Sequence, residues 1–220
     1  LEVVQSFNPQ GGAHHYPGSP FVVWHLMQAS ERVASRDRLK MFEMHPTDQK
    51  LLRQNIEALA ATRSVSARSV QMQMGDGFES LKSLLPPPAS SGNSRRACVL
   101  IDPSYEIKND YGRVQDAVQD ALKRFPTGTY LVWYPIVGRP EAHDLPRRLK
   151  NISQAAGKTW LHASLSIGRA AGESGGLSAS GMFVVNPPFT LKDQLKACLP
   201  VLLETLGRGV GQGQTLEVGG

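Results

Sequence analysis

The sequence predicts an α/β fold with a mostly parallel sheet whose last two strands pair in antiparallel fashion. From residue 38 onward, short apolar segments of strand length alternate with segments of helical periodicity. This alternation is typical of a parallel sheet with crossover helices. Near the end of the chain, two strand-like segments follow each other without a helix between them, so we expect them to run in opposite directions.

The first strand and helix show both signals clearly. Residues 39–43 form a strand-like run, and residues 46–59 place their apolar side chains at helical spacing on one face. Pro46 suits a first helical turn, and Asp48 suits the positive end of the helix dipole. The segment at 97–101 is short and wholly apolar, as strands buried in parallel sheets are.

The remaining elements follow from the same criteria. The other expected strands are 70–74, 129–134, 159–167 and 182–186. The other expected helices are 21–29, 78–85, 111–125, 141–156 and 191–206. Loops rich in proline, glycine or serine are expected at 86–94 and 168–181. We expect a single domain over residues 1–206 and a disordered, glycine-rich tail at 207–220.

The composition describes a basic protein. The 220 residues carry a formal net charge of +5 and a sequence pI of about 9.4, which suits either a polyanionic partner or simply a basic surface.

No apolar run approaches the roughly 20 residues of a membrane helix, and no signal peptide is visible, so we expect a cytoplasmic protein. Cys98 and Cys198 are interpreted as reduced core thiols, and no metal site is predicted.

Three successive predicted strands each end at a carboxylate. Glu43 ends the first strand, Asp76 follows the second, and Asp102 follows the third. Each residue on its own could be a simple helix cap or turn residue. Ligands of open parallel sheets bind beyond the carboxyl ends of the strands, so the ordered set predicts a shared site at one edge.

The predicted site suits a nucleoside cofactor and a nucleic-acid base. A carboxylate in the position of Glu43 can accept hydrogen bonds from both ribose hydroxyls, as acids do in dinucleotide-binding folds. Asp76 can accept a hydrogen bond from the adenine amino group of the cofactor, and Gly77 lets the backbone approach the ring closely. The segment from Asp102 to Tyr105 is then left to hold the substrate base.

This Asp-Pro-Ser-Tyr segment indicates transfer onto an exocyclic amine. Such an amine is a poor nucleophile because its lone pair is delocalised into the ring. Two acceptors, the Asp102 carboxylate and the Pro103 carbonyl, can hold the amine so that its lone pair faces an activated methyl group. Tyr105 is expected to offer an aromatic face to a flipped-out base.

The segment resembles the amino-methyltransferase signature Asp/Asn-Pro-Pro-Tyr/Phe/Trp, with Ser104 in place of the second proline. Over residues 15–206 the chain resembles the J-type large-subunit ribosomal RNA adenine-N6 methyltransferases, which have a class I, Rossmann-like sheet. The supporting stretches are Tyr-Pro-Gly-Ser-Pro at 16–20, Glu-Met-His-Pro at 43–46, Asp-Gly-Phe at 76–78, Leu-Ile-Asp-Pro at 100–103, Leu-Val-Trp-Tyr-Pro at 131–135, Ala-Ser-Gly-Met at 179–182 and Asn-Pro-Pro at 186–188.

The resemblance implies N6-methylation of an adenine in 23S ribosomal RNA with S-adenosylmethionine as the methyl donor. It implies cofactor contacts from Ser19, Glu43, Asp76, Gly77 and Asp102, and catalytic roles for Asp102, Pro103 and Tyr105. The family's glycine-rich cofactor loop is absent from this sequence. We therefore expect that an N-terminal part is missing and that the activity of this stretch alone is in question.

Other functions stay open at this point. The chain could be a non-catalytic nucleic-acid-binding module on a degenerate methyltransferase fold, or a DNA adenine methyltransferase, and the family has also been linked to the use of external DNA. The sequence does not determine the oligomeric state, and we favour a monomer. The loop at 168–181 should lie at the active edge, either closing over a base or simply joining two strands.

A second stretch matches the signature even better by letter. Asn-Pro-Pro-Phe at 186–189 has both prolines, but it ends the predicted antiparallel strand. We therefore expect it at the opposite edge of the sheet, as a strand-to-helix turn in which the prolines stop the strand pairing.

Overall fold

A computed structural model of the chain describes residues 2–12, 14–29, 37–63, 70–89, 95–169 and 176–220. The chain divides into two compact units, Leu1–Ser80 and Leu81–Gly220. Within the two predicted loops, residues 90–94 and 170–175 lie outside the described residues. The expectation of one domain over residues 1–206 stays a prediction.

The first unit contains a pair of parallel strands connected by a helix. Its elements are α1 (Glu2–Ser6), α2 (Gly18–Ala29), β1 (Leu39–Glu43), α3 (Pro46–Arg63), β2 (Val70–Met74) and the start of α4 (Gly77–Leu84). β1 and β2 are in register from Leu39 opposite Val70 to Glu43 opposite Met74. The two strands therefore end side by side, as the sequence predicted.

The second unit is built on a five-stranded sheet. Its elements are β3 (Cys98–Ile101), α5 (Asp110–Arg124), β4 (Thr129–Pro135), α6 (Pro140–Ala155), β5 (Trp160–Arg169), β6 (Ala179–Val185), α7 (Leu191–Leu206) and β7 (Val210–Gly219). The strand order is β3-β4-β6-β5-β7, with β3 parallel to β4 and β6 antiparallel to both of its neighbours. This arrangement confirms the predicted α/β fold with a class I methyltransferase sheet.

Apolar side chains at helical spacing attach α5 and α6 to the unit. In α6 the buried side chains recur every three or four residues, which places them on one face of the helix. The buried residues are Asp110, Tyr111, Val114, Val118, Ala121 and Leu122 in α5, and Ala142, Leu145, Leu149 and Ser153 in α6. Pro140 begins α6, where its missing N–H costs no hydrogen bond.

The predicted disordered tail is wrong, because residues 210–219 form β7. This strand runs antiparallel to β5 from Val210 opposite Arg169 to Gly219 opposite Trp160. Leu216 packs against a core cluster of Leu161, Ala163 and Leu199. The strand thus completes the apolar contacts between β5 and α7.

The glycines of this strand have structural reasons that do not involve flexibility. A Cβ atom at Gly219 would lie 2.6 Å from the Trp160 ring, so only glycine allows the two strands to approach there. Gly211 has a φ of +82°, a conformation that side chains disfavour. The alternation of polar and apolar residues at 215–218 is the sequence signal for this strand, and the glycine content outweighed it in the prediction.

Polar contacts also fasten β7 to the sheet. Lys150 Nζ lies 2.6 Å from Glu217 Oε2, and this contact lowers the pKa of Glu217. Glu217 Oε1 faces the Nδ1 atom of His162 at 3.7 Å, and the Nε2 atom of His162 lies 2.8 Å from the Tyr134 hydroxyl. Burial lowers the pKa of His162 and therefore favours the neutral imidazole.

The expected core positions of the two cysteines are also wrong. Cys98 and Cys198 are both free thiols, and both are exposed. Cys98 lies on β3, which is an edge strand of its sheet and buries only Ile101. The apolar composition of β3 therefore did not indicate a strand covered on both faces.

No described helix is long and apolar enough to cross a membrane.

Leu216→Ala should lower the free energy of unfolding by about 2 kcal/mol. This is the lower end of the range for such truncations, because the Leu216 side chain is only partly buried. Urea denaturation of the complete protein, followed by circular dichroism, measures the change. Val210→Ala is the matched control, since Val210 is 89% exposed on the same strand. Equal unfolding midpoints for Leu216→Ala and wild type would contradict a packed β7.

Candidate active site

The turn after β3 carries Asp102 at the carboxyl edge of the parallel strands of the second unit. Ile101, the last residue of β3, is buried and lies opposite Val132 of β4. Asp102 follows directly and is exposed. The carboxylate is thus presented at the edge by a strand end that is fixed in the core.

Tyr105 folds back from this turn into the unit. Its hydroxyl donates a hydrogen bond to the Trp133 carbonyl at 2.7 Å, and its ring centroid lies 4.7 Å from that of Tyr111 and 6.3 Å from that of Trp133. The side chain is only 3% exposed. This burial does not match the open stacking face that the sequence led us to expect from Tyr105.

The backbone of Tyr105 has an unusual conformation. Its φ is +54°, in the left-handed region that residues with a side chain rarely adopt and that costs about 1–3 kcal/mol. Burial raises the pKa of Tyr105 far above its usual range, so its hydroxyl remains protonated and able to donate. The strained turn is therefore held by contacts from other segments.

Two cations tie this turn to the start of α6. Arg139 Nη1 donates hydrogen bonds to the carbonyls of Tyr105, at 3.0 Å, and of Glu106, at 3.4 Å. Lys108 Nζ lies 2.8 Å from Glu141 Oε1, and this contact lowers the pKa of Glu141. Neither cation is predicted by the sequence, since nothing local in the sequence pairs residues about 30 positions apart.

A cavity of about 410 Å³ opens beside the turn. This volume lies within the range of roughly 300–1,000 Å³ that is typical of small-molecule sites. Its lining comes from the turn, from α5, and from the end of β4 and the segment after it, namely Ser104, Tyr105, Glu106, Tyr111, Pro135, Val137, Gly138 and Arg139. In the described part of the chain, the buried hydroxyl of Tyr111 has no hydrogen-bond partner.

In the first unit, the structure brings Glu43, Asp76 and Gly77 together at the carboxyl edge of β1 and β2. The Gly75 N–H donates to the Glu43 carbonyl at 3.1 Å, which joins the two strand ends. Glu43 Oε1 accepts from the His45 N–H at 2.8 Å, and Asp76 Oδ1 accepts from the Phe78 N–H at 2.9 Å. Both carboxylates therefore also serve as caps or turn residues, the alternative that the sequence left open.

The other predicted contacts are more widely distributed. Ser19 lies in the first turn of α2, also in the first unit. Asp102 and Pro103 belong to the second unit. A single edge shared by Glu43, Asp76 and Asp102 therefore stays a prediction.

The second signature-like stretch lies at the opposite edge, as predicted. β6 ends at Val185, opposite Tyr130 near the beginning of β4. Asn186 then donates through Nδ2 to the carbonyls of Pro126 and Gly128. Asp102 follows the carboxyl end of β3, whereas Asn186 lies near the beginning of β4. The two residues are therefore at opposite ends of the parallel strands β3 and β4.

The ends of the loop between β5 and β6 lie at the same edge as Asp102. Ile136, just after β4, donates its N–H to the Ala179 carbonyl at 2.9 Å, and Ser180 lies opposite Pro135. The predicted tip of this loop, at 170–175, lies outside the described residues. Among the residues that are described, no group of three or more His, Cys, Asp or Glu side chains could hold a metal ion.

Comparison with known proteins places this chain in a family. The family model for Ribosomal RNA large subunit methyltransferase D, RlmJ, matches residues 1–217. The chain belongs to this family, which confirms the resemblance found in the sequence.

Two curated relatives carry the name Ribosomal RNA large subunit methyltransferase J. The chain is 38% identical to the Haemophilus influenzae protein over 192 residues, which cover 87% of this chain and 60% of the relative. It is 35% identical to the Escherichia coli K12 protein over 202 residues, which cover 92% of this chain and 64% of the relative. The chain thus spans less than two thirds of the length of either relative.

A solved structure shares the fold. The crystal structure of a protein from Legionella pneumophila is similar to this chain with a TM-score of 0.76 at 27% sequence identity. The match covers 99% of this chain and 71% of that protein.

Tyr105→Phe should lower the free energy of unfolding by about 1–2 kcal/mol. The substitution keeps the buried ring but removes the hydroxyl that donates to the Trp133 carbonyl, so this oxygen loses its hydrogen bond from Tyr105. Tyr16→Phe is the control, because Tyr16 is 80% exposed. Chemical denaturation of both variants measures the difference, and equal losses of stability would show that the Tyr105 hydroxyl does not hold the turn.

Proposed function

We propose that the complete protein methylates N6 of an adenine in 23S ribosomal RNA with S-adenosylmethionine as the methyl donor. Membership of an RNA methyltransferase family supports this proposal, as do the names of both relatives. The observation that carries it is the Asp102–Tyr105 turn, which follows a parallel strand, is tied to β4 and borders a cavity.

The carboxyl edge of β1 and β2 supports S-adenosylmethionine as the cofactor. Glu43 uses Oε1 to accept from His45, and within the described residues its Oε2 atom keeps its capacity to accept from ribose hydroxyls. Asp76 lies on the neighbouring strand end, where it is proposed to accept from the adenine amino group of the cofactor. Gly77 has no side chain to keep the backbone from the ring.

Two further residues complete the proposed cofactor contacts. Ser19, in the first turn of α2, offers a hydroxyl near a helix N-terminus. Asp102 is proposed to lie between the cofactor and the substrate base. S-adenosylmethionine, when bound, supplies a methyl group that its sulfonium centre has already activated.

The turn after β3 is proposed to make the target amine nucleophilic. The Asp102 carboxylate accepts one N–H of the amine and the Pro103 carbonyl accepts the other. These two acceptors draw the lone pair out of conjugation and aim it along the direction of transfer. Because the methyl group is already activated, most of the rate enhancement is expected from this alignment.

The cavity beside the turn is proposed to receive the base. Tyr111, Pro135 and Val137 provide an apolar wall, and Ser104 provides a polar group on the turn side. Tyr105 also lines the cavity but is almost fully buried, so it is proposed to support the turn rather than to stack on the base. A base must leave its stack to enter such a cavity, so an unpaired adenine in RNA is the expected target.

Asp102→Ala in the complete protein should reduce methylation of deproteinised 23S ribosomal RNA by at least about 100-fold, because one of the two acceptors of the amine is lost. Transfer of radiolabelled methyl groups from S-adenosylmethionine measures the rate. Asp116→Ala removes an exposed carboxylate from α5 and serves as the matched control.

The same assay distinguishes the proposal from its alternatives. Oligonucleotides of equal sequence in RNA and DNA test the nucleic-acid class. Binding of S-adenosylmethionine measured by calorimetry tests for a non-catalytic protein. The proposal would be abandoned if the wild type bound no cofactor, or if it methylated DNA in preference to ribosomal RNA.

Ser104→Pro should raise the turnover number by a few-fold. Ser104 is exposed, and its hydroxyl has only a weak 3.5 Å contact with the Glu106 N–H, so little within the residue limits its backbone. A proline ring would fix φ and restrict the direction of the Pro103 carbonyl. Ser104→Ala, measured in parallel, shows how much of the change in turnover number comes from loss of the hydroxyl rather than from the proline ring. An unchanged turnover number for Ser104→Pro contradicts this expectation.

A further inference from the structure

We infer that Arg139 is a positioning residue that fixes the Asp102–Tyr105 turn by binding the carbonyl groups at its end. The inference rests on the proposed function of this turn. Arg139 does not belong to the Asp-Pro-Ser-Tyr segment and lies 34 residues after Tyr105 along the chain.

The hydrogen bonds of Arg139 are well placed for this role. One terminal nitrogen, Nη1, donates to two consecutive carbonyls, those of Tyr105 and Glu106. Hydrogen bonds from a charged guanidinium are stronger than those between neutral groups. Tyr105 has a positive φ, so its backbone conformation needs support of this kind from outside the turn.

Arg139 itself stands on a fixed base. Its N–H donates to the Val137 carbonyl at 2.7 Å, and its carbonyl accepts from Ala142 at 3.1 Å. Ala142 and Leu145, in the first turns of α6, are fully buried. The guanidinium therefore extends from a backbone that the core holds in place.

A second contact limits motion of the same loop. Lys108 pairs with Glu141, in the first turn of α6, although Lys108 is 76% exposed. Exposed ion pairs of this kind contribute little energy. Arg139 instead donates two hydrogen bonds from one charged group, and the one to the Tyr105 carbonyl is partly buried, so Arg139 is the stronger of the two ties between this loop and α6.

The direction of the Pro103 carbonyl depends on these ties. The backbone of Ser104 and Tyr105 separates this carbonyl from the two that Arg139 binds. Ser104 has no ring to restrict its backbone, so rotation there would turn the Pro103 carbonyl away from a bound amine. A misplacement of about 1 Å at a reacting centre can reduce a rate about 100-fold.

A different role for Arg139 would give different kinetics. Its side chain is exposed and lines the cavity, so it could instead bind a phosphate group of the RNA. A phosphate contact would appear mainly in KM for RNA and in its salt dependence. A positioning role affects kcat instead, because bound RNA then meets a misaligned turn.

The test is steady-state methylation of deproteinised 23S ribosomal RNA by the complete protein and its variants. For Arg139→Ala we expect kcat to fall about 10- to 100-fold, with KM for RNA changed less than about three-fold. Arg139→Lys should retain an intermediate kcat, since its ammonium group keeps the charge but reaches less far. Added guanidinium ions should restore part of the activity of Arg139→Ala.

Two further variants make the result specific. Arg147→Ala removes an exposed arginine of α6, the helix that Arg139 precedes; Arg147 contacts Asp144, and its loss should leave kcat unchanged. The double variant Ser104→Pro/Arg139→Ala should have a higher kcat than the product of the two single effects predicts. The proline ring would then replace part of the constraint that Arg139 provides. Thermal unfolding of Arg139→Ala should remain close to that of the wild type.

Three results would overturn the inference. The first is a wild-type kcat in Arg139→Ala, and the second is a raised KM for RNA with kcat unchanged, which would assign Arg139 to the RNA backbone. The third is a wild-type protein that does not methylate RNA, which would remove the proposed function and the inference together. If wild type and Arg147→Ala are active and only the Arg139 variants lose kcat, both the proposed function and the inference are supported.

Discussion

The antiparallel placement of β6 between β4 and β5 is the constraint on which the second unit depends. It lets β3 and β4 end at one edge while β6 begins there, and it sends the end of β6 to the opposite edge. Asp102, the cavity and the start of α6 consequently lie together. The stretch at 186–189 matches the signature better by letter, but it forms a turn at that opposite edge. Its Asn186 side chain binds the carbonyls of Pro126 and Gly128 in the loop before β4.

The proposed chemistry relies on a turn that the local sequence does not hold by itself. Tyr105 adopts a positive φ, and its hydroxyl reaches back to β4. The guanidinium of Arg139 then binds the carbonyl groups of Tyr105 and Glu106. The strain of one residue is thus balanced by hydrogen bonds to Trp133 and from Arg139, about 30 residues away along the chain.

The last strand shows how packing can override composition. Three of the ten residues of β7 are glycines, yet Gly219 fits against the Trp160 ring where any side chain would clash. Leu216 joins the core, and Glu217 joins a polar chain that passes through His162 to Tyr134. Burial lowers the pKa of His162, so the neutral imidazole is the favoured form in this chain of contacts.

The sequence by itself determined the order of strands and helices from α2 to α7, the bounds of α7, and the carboxylates at or just after the ends of β1, β2 and β3. These features follow from local periodicity and from the short distance between a strand and the residue after it. Only the tertiary structure decided the burial of Tyr105, the contacts of Arg139, the exposure of Cys98 and the pairing of β7. Each of these depends on which distant residues meet, and that is set by packing between elements, which no local pattern contains.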